Sequence, residues 1–185
     1  MSVLIVIPAR YASTRYPGKP LVALTGATGQ KQSLIERSWR AASAVSGVDR
    51  VVVATDDDRI RDAAEGFGAE VVMTSEACAN GTERCAEAHA ALGGGYDIVV
   101  NLQGDAPLTP HWFVEGLVQG LKDNPDAEIA TPVLRCDGAT LNSLLGDRKA
   151  GRVGGTTAVF GADNQALYFS KEVVPYTRKP YTETD

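Results

Sequence analysis

The sequence predicts an α/β fold: a mostly parallel sheet with helices on both faces and a β-hairpin near the C-terminus. Three observations carry that expectation. Strand-like and helix-like segments alternate five times from the N-terminus, the rhythm of strand–helix–strand units. The strand-like runs are apolar almost throughout rather than at alternate positions, as parallel strands covered on both faces are. The chain has 185 residues, 44% of them hydrophobic and 22% charged, enough for one complete core, so a single domain over 1–185 is expected. Right-handed crossovers then distribute the helices over the two faces.

Val3 to Ile7 is the first buried strand. Ser33, with Glu36 three residues on, makes a capping box for a helix that presents Ile35, Trp39, Ala42 and Val45 and ends at Gly47. Arg50 to Thr55 is the second strand. Asp56, Asp57 and Asp58 lead into a short helix with Ile60, Ala63, Ala64 and Phe67 inward and Gly68 as its stop. Val71 to Met73 is the third strand. A polar loop to Gly81 precedes a helix over about Thr82 to Leu92, ended by Gly93, Gly94 and Gly95. Asp97 to Leu102 is the fourth strand. Thr109 and Pro110 suit the N-cap and first turn of a helix carrying Phe113, Leu117 and Leu121, and Ile129 to Leu134 reads as a fifth strand. Glycines then cluster over 138–157, which reads as a flexible or ligand-ordered connection. Thr156 to Phe160 and Ala166 to Ser170, joined by a turn over 161–164, form the expected hairpin.

Totals narrow the function. A pI near 5.1 argues against a general nucleic-acid binder, which needs a basic face. The N-terminal apolar run is too short to span a bilayer, so no membrane association is expected. Cys78, Cys85 and Cys136 are odd in number and lack a C-x-x-C spacing, which indicates neither a disulfide framework nor a zinc site and points to a cytoplasmic compartment.

Charge is segregated along the chain. Residues 1–35 contain Arg10, Arg15, Lys19 and Lys31 and no acid; with a net charge of −5 overall, the remainder carries −9. Three of those cations lie in Ala9-Arg10-Tyr11-Ala12-Ser13-Thr14-Arg15-Tyr16-Pro17-Gly18-Lys19-Pro20, a loop shaped by two prolines and a glycine directly after the first strand. Loops at the carboxyl ends of parallel strands converge on one rim. That rim therefore gathers the basic loop, Asp56 to Asp58, Asn80 to Arg84, and Gln103 to Asp105. Guanidinium forks, an ammonium and the Ser13 and Thr14 hydroxyls are donors for phosphate oxygens, and the loop is read as a grip for a nucleoside triphosphate rather than a merely solvated basic loop. It is neither a Walker loop nor a G-x-G-x-x-G turn. Asp105, between Gly104 and Ala106-Pro107, suits Mg²⁺, which takes one or two protein carboxylates; the alternative is an Asp that caps its turn. Arg84 is either a base or phosphate contact or a plain surface residue. Asp56 to Asp58 start a helix. His89 falls on a packed helix face and His111 on the surface, and no Ser–His–acid or Cys–His arrangement points to covalent hydrolysis.

ARYASTRYPGKP, VVATDD, NGTER, NLQGD and, later, ALYFSKEVVPY occur in this order along nearly the whole chain, and together they resemble the 3-deoxy-manno-octulosonate (Kdo) cytidylyltransferases. The resemblance implies a Rossmann-like nucleotidyltransferase fold and Mg²⁺-dependent transfer of CMP from CTP to the anomeric hydroxyl of the sugar. It also implies a cytoplasmic homodimer serving lipopolysaccharide biosynthesis. Carried over by position, it gives Arg10, Arg15, Lys19 and Asp105 catalytic roles. Ala9, Arg10, Ser13, Lys19, Arg84 and Gln103 become nucleotide contacts, and Asp105 the metal ligand. The sequence departs from the family at Ala106, where a Glu is usual, and at the glycine-rich Gly151 to Thr156. The family also runs longer, so the domain is expected to be incomplete at its C-terminus, with 156–176 contributing to a dimer or sugar site. A CMP-sialic acid synthetase or related sugar nucleotidyltransferase, and a CTP-binding fragment without turnover, are the competing readings.

Overall fold

β1 (Val3–Ala9) is the central strand of a four-stranded parallel sheet, and every one of its residues is buried. The computed structural model describes residues 1–12, 16–176, 178 and 182. They divide into two compact units, Met1–Ala130 and Thr131–Asp185, where the sequence led us to expect one domain.

In the first unit β4 (Arg50–Thr55), β5 (Glu70–Met73) and β6 (Ile98–Asn101) join β1 in the order β5-β4-β1-β6. Alternation along β1 sends its side chains into two cores. Val3, Ile5 and Ile7 meet Ile35 and Ala42 of α1 (Leu34–Ser43), Ile60 and Ala64 of α2 (Asp58–Gly66), and Val114 and Val118 of α4 (His111–Asp123). Leu4 and Val6 meet Cys85 and Ala88 of α3 (Gly81–Ala91) on the other face. Helices therefore cover both faces, as expected. A two-stranded antiparallel ribbon, β2 (Ala23–Thr25) with β3 (Lys31–Ser33), lies between β1 and α1 in the sequence. Pro8 is tolerated inside β1 because pairing with β6 has ended at Val6 opposite Asn101, so no partner is lost there.

Local signals explain the helix ends. Ser33 Oγ accepts the Glu36 N–H at 3.2 Å, one half of the expected capping box. The Glu36 carboxylate is turned to Gln32 Nε2 and Arg40 instead. Asp57 caps α2 by accepting the Arg59 N–H at 2.9 Å, and Asn80 caps α3 by accepting the Glu83 N–H at 3.0 Å. Thr109 is not the cap of α4. Its N–H and hydroxyl both donate to the Ala106 carbonyl, closing a turn, and Pro110 takes the cap position. The most buried stripe of α4 is accordingly Val114 and Val118, one residue on from Phe113 and Leu117.

Two expectations are corrected. Residues 129–134 form no strand: Ile129 is 86% exposed and Leu134 72%, and Pro132 interrupts the run with a residue that cannot donate to a ladder. The stretch 138–157 is not a connection throughout, because Gly138–Lys149 is a helix, α5. Asp137 caps it through the Thr140 N–H at 2.8 Å, and Arg148 and Lys149 sit favourably in its last turn. Gly151, at φ 72°, ends it in a Schellman motif: the Gly151 N–H donates to the Arg148 carbonyl and the Arg152 N–H to that of Asp147. One of the glycines that reads as flexibility is thus a helix stop. The second unit also contains the expected hairpin, β7 (Thr157–Phe160) paired antiparallel with β8 (Ala166–Ser170), with Asn164 at positive φ in the turn.

Candidate active site

At the carboxyl ends of β1 and β6 the first unit opens a cavity of about 460 Å³. Its walls come from three strand-end loops. Pro8, Ala9 and Arg10 leave β1, and Tyr16, Lys19 and Pro20 return from the basic loop. Cys78 to Gly81 and Arg84 belong to the start of α3, and Gln103, Gly104 and Asp105 follow β6. Of the residues singled out in the sequence, Ala9, Arg10, Lys19, Arg84, Gln103 and Asp105 all line this one cavity. Ser13 and Arg15 lie outside the described residues.

The basic loop is closed at its base by the Gly18 N–H, which donates to the Tyr11 carbonyl at 3.0 Å. Gly18 is at φ +69°, a conformation that favours glycine, and a Cβ there would crowd the Tyr11 ring at 3.0 Å. A short 3₁₀ turn, Lys19–Leu21, then buries Pro20 and leaves Lys19 at the cavity. Lys19 Nζ donates to Asp105 Oδ2 at 2.6 Å. Both side chains are about half exposed, at 47% and 51%, so the pair contributes little to stability. Its importance is positional, since it sets an ammonium and a carboxylate side by side.

Gly104 fixes where Asp105 stands. A Cβ on Gly104 would meet the Pro8 carbonyl oxygen at 2.9 Å and Ile35 Cδ1 at 3.2 Å, and its own carbonyl accepts the buried Ser38 hydroxyl at 2.9 Å. Only glycine lets the chain leaving β6 lie this close to β1. Gln103 Nε2 donates to Asn101 Oδ1 at 2.8 Å, which orients that amide across the adjacent wall.

Arg84 is not a surface residue. It is 3% exposed, with Nη1 donating to Thr74 Oγ1 at 2.6 Å and Nη2 to Asp56 Oδ2 at 2.7 Å. Its guanidinium therefore reaches the cavity wall already tied to the ends of β4 and β5. Asp56 consequently departs from its two neighbours: Asp57 and Asp58 start α2 as expected, while Asp56 holds Arg84. The sequence reading missed Asp56 and Thr74 in this role. The signal available was the strand-end rule itself, because Thr74 directly follows β5.

Of the other titratable groups described, Cys78 lines the cavity, while Cys85, His89 and His111 do not. Burial pushes the Cys85 thiol up to about 12. Cys78 donates to Glu87 at 3.0 Å, and that carboxylate raises the thiol while its own pKa is lowered. All three cysteines are free. His89 is half-buried against Tyr96, whose N–H donates to its Nε2 at 3.4 Å, and His111 is exposed beside Glu115. No helix among the described residues is long and apolar enough to cross a membrane.

The sequence profile of the family described as cytidylyltransferase matches residues 4–185. The 3-deoxy-manno-octulosonate cytidylyltransferase of Maricaulis maris is 51% identical over 180 residues, covering 97% of this chain and 68% of that protein. The mitochondrial one of Arabidopsis thaliana is 40% identical over 186 residues, covering 99% and 58%. A solved CMP:2-keto-3-deoxy-manno-octonic acid synthetase complexed with CTP superposes with a TM-score of 0.83 at 35% identity, covering 96% of this chain and 67% of that one. The chain thus spans about two thirds or less of the length of these relatives. It belongs to the cytidylyltransferase family, and within it to the 3-deoxy-manno-octulosonate cytidylyltransferases.

Proposed function

We propose that the protein transfers CMP from CTP to the anomeric hydroxyl of 3-deoxy-D-manno-octulosonate, in a Mg²⁺-dependent reaction that serves lipopolysaccharide biosynthesis. The hydroxyl oxygen bonds to the α-phosphorus and gives up its proton, the bond from that phosphorus to the bridging oxygen breaks, and pyrophosphate leaves. The observation that carries the proposal is the meeting of Arg10, Lys19 and Asp105 on one cavity. Nucleotidyl transfer asks for alignment and for neutralisation of developing charge, not for a covalent catalyst. Arg10 and Lys19 bind the outer phosphates and stabilise the charge that builds on the leaving pyrophosphate. Arg84 and Gln103, whose side chains are held by neighbours, position the nucleotide or the sugar against that grip.

Asp105 fits Mg²⁺ by the chemistry of its donor set. It is a half-exposed carboxylate that already holds a cation, the Lys19 ammonium, at 2.6 Å. No group of three or more His, Cys, Asp or Glu suited to a metal occurs among the described residues, and Mg²⁺ typically takes one or two carboxylates, with phosphate and water completing its shell. Bound there, the ion would supply a Lewis acid for phosphate oxygens. The family resemblance extends the proposal to a cytoplasmic homodimer.

Pyrophosphate release, measured with CTP, Mg²⁺ and the octulosonate sugar together and with each omitted in turn, tests this reading. Release only from the complete mixture is expected. Release with sialic acid in place of the octulosonate would move the assignment to the CMP-sialic acid synthetases, and no sugar-dependent release would refute transfer. A second reading, CTP binding without turnover by the 185-residue chain itself, is favoured by its span of 68% of the Maricaulis maris relative. It is supported if the chain binds CTP and releases nothing under conditions in which the Maricaulis maris relative turns over.

A further inference from the structure

We infer that Arg59, outside the main cavity, is a positioning residue that sets the spacing of the two triphosphate-binding cations Arg10 and Lys19 by stacking on Tyr11. The inference rests on the reading of the basic loop as a triphosphate grip. Arg59 Cζ lies 3.3 Å from the centroid of the Tyr11 ring, close enough for a guanidinium–π stack. Asp57 fixes the other side of the guanidinium, accepting from Nε at 2.9 Å and from Nη2 at 2.6 Å. Asp57 is itself fixed, because it caps α2. A rigid helix start thus presents a planar cation to the ring.

Tyr11 passes that constraint to the loop. Its carbonyl accepts the Gly18 N–H at 3.0 Å, and its ring edge packs against Gly18, where a Cβ would stand 3.0 Å from the ring. Arg10 and Lys19 are the sequence neighbours of these two tied residues, and both reach the same cavity. A ring free to tilt would loosen the contact with Gly18 and with it the separation of the two cations. Arg59 does not line the main cavity but a second one beside it, shared with Arg10, Tyr11 and Arg84, and its side chain is 58% exposed, so its removal leaves the core intact.

The stack contributes only as much as an exposed guanidinium–π contact does, and the effect is correspondingly modest. Arg59→Ala is expected to weaken CTP binding by about two- to fivefold and to leave CMP binding unchanged, since CMP lacks the phosphates the loop holds. Arg59→Lys keeps a cation over the ring and recovers part of the loss; Tyr11→Phe keeps the ring and binds CTP as the wild type does. Titration calorimetry of each variant with CTP and with CMP, beside a thermal melt, reads all of this. Unchanged CTP affinity in Arg59→Ala overturns the inference, as does an equal loss for CTP and CMP, which is what a merely structural role produces. If the wild type itself binds CTP no better than CMP, the triphosphate reading fails, and the inference with it.

Discussion

Removing the Asp56 carboxylate should expose how strongly the buried guanidinium depends on it. In Asp56→Ala, Arg84 keeps its bond to Thr74 but loses the carboxylate it is ion-paired with, at a site where the arginine is 3% exposed. Breaking a buried ion pair by deleting one partner costs about 3–5 kcal/mol, because the remaining charge is left desolvated. In a chain of this size each 1 kcal/mol shifts the melting temperature by about 2–4 °C, so a fall of roughly 6–20 °C is expected by circular dichroism. The double variant Asp56→Ala/Arg84→Met removes both charges and should recover at least half of that loss, giving a coupling energy well above the ~0.5 kcal/mol of independent sites. A single variant that melts with the wild type, or strictly additive losses, would refute the claim that the two residues act as a pair.

Other outcomes follow from the same geometry. Gly104→Ala sets a methyl group 2.9 Å from the Pro8 carbonyl oxygen, in a central strand that cannot give way; a cost of about 1–3 kcal/mol and weaker CTP binding are expected in melts and titrations. Asp105→Asn should abolish turnover in the pyrophosphate assay while melting within about 2 °C of the wild type, because an exposed ion pair contributes little. Cys85, neutral at ordinary pH through its burial, should resist a thiol reagent at pH 8 until the protein unfolds, as peptide mapping of the labelled sites would show. Arg59 holds the Asp57 carboxyl below its usual range. A folded pKa below the unfolded one gives stability that is present above the ordinary carboxylate range near pH 4 and is lost as pH falls through the lowered value. Arg59→Gln should therefore move the acid-unfolding midpoint of the native protein upward.

Where interactions are local, the sequence was readable. Arg50 to Thr55 is a strand to the residue, because β-branched runs bounded by polar residues leave little choice. Ser33 and Asn80 stop short of their helices because their side chains reach only a few residues ahead. Legibility failed where a signal has two meanings. Gly151 looks like slack but closes a Schellman motif, and the glycines around it concealed α5. Ile129 to Leu134 has the composition of a strand, but pairing depends on a neighbour that composition does not name. In the site, the strand-end rule brought Lys19, Gln103 and Asp105 to one rim from up to 86 residues apart. It could not show that Arg84 turns back to Asp56 and Thr74, or that Arg59 lies over Tyr11, because those contacts depend on side-chain direction rather than spacing.

The central claim is that the cavity where Lys19 meets Asp105 holds a nucleoside triphosphate. Calorimetric titration of CTP into wild type and Lys19→Ala in the presence of Mg²⁺ tests it most directly. Loss of a charge-assisted hydrogen bond corresponds to roughly 1.5–3 kcal/mol, so the variant should bind CTP about 10- to 150-fold more weakly while melting as the wild type does. Superimposable isotherms for the two proteins would contradict the account.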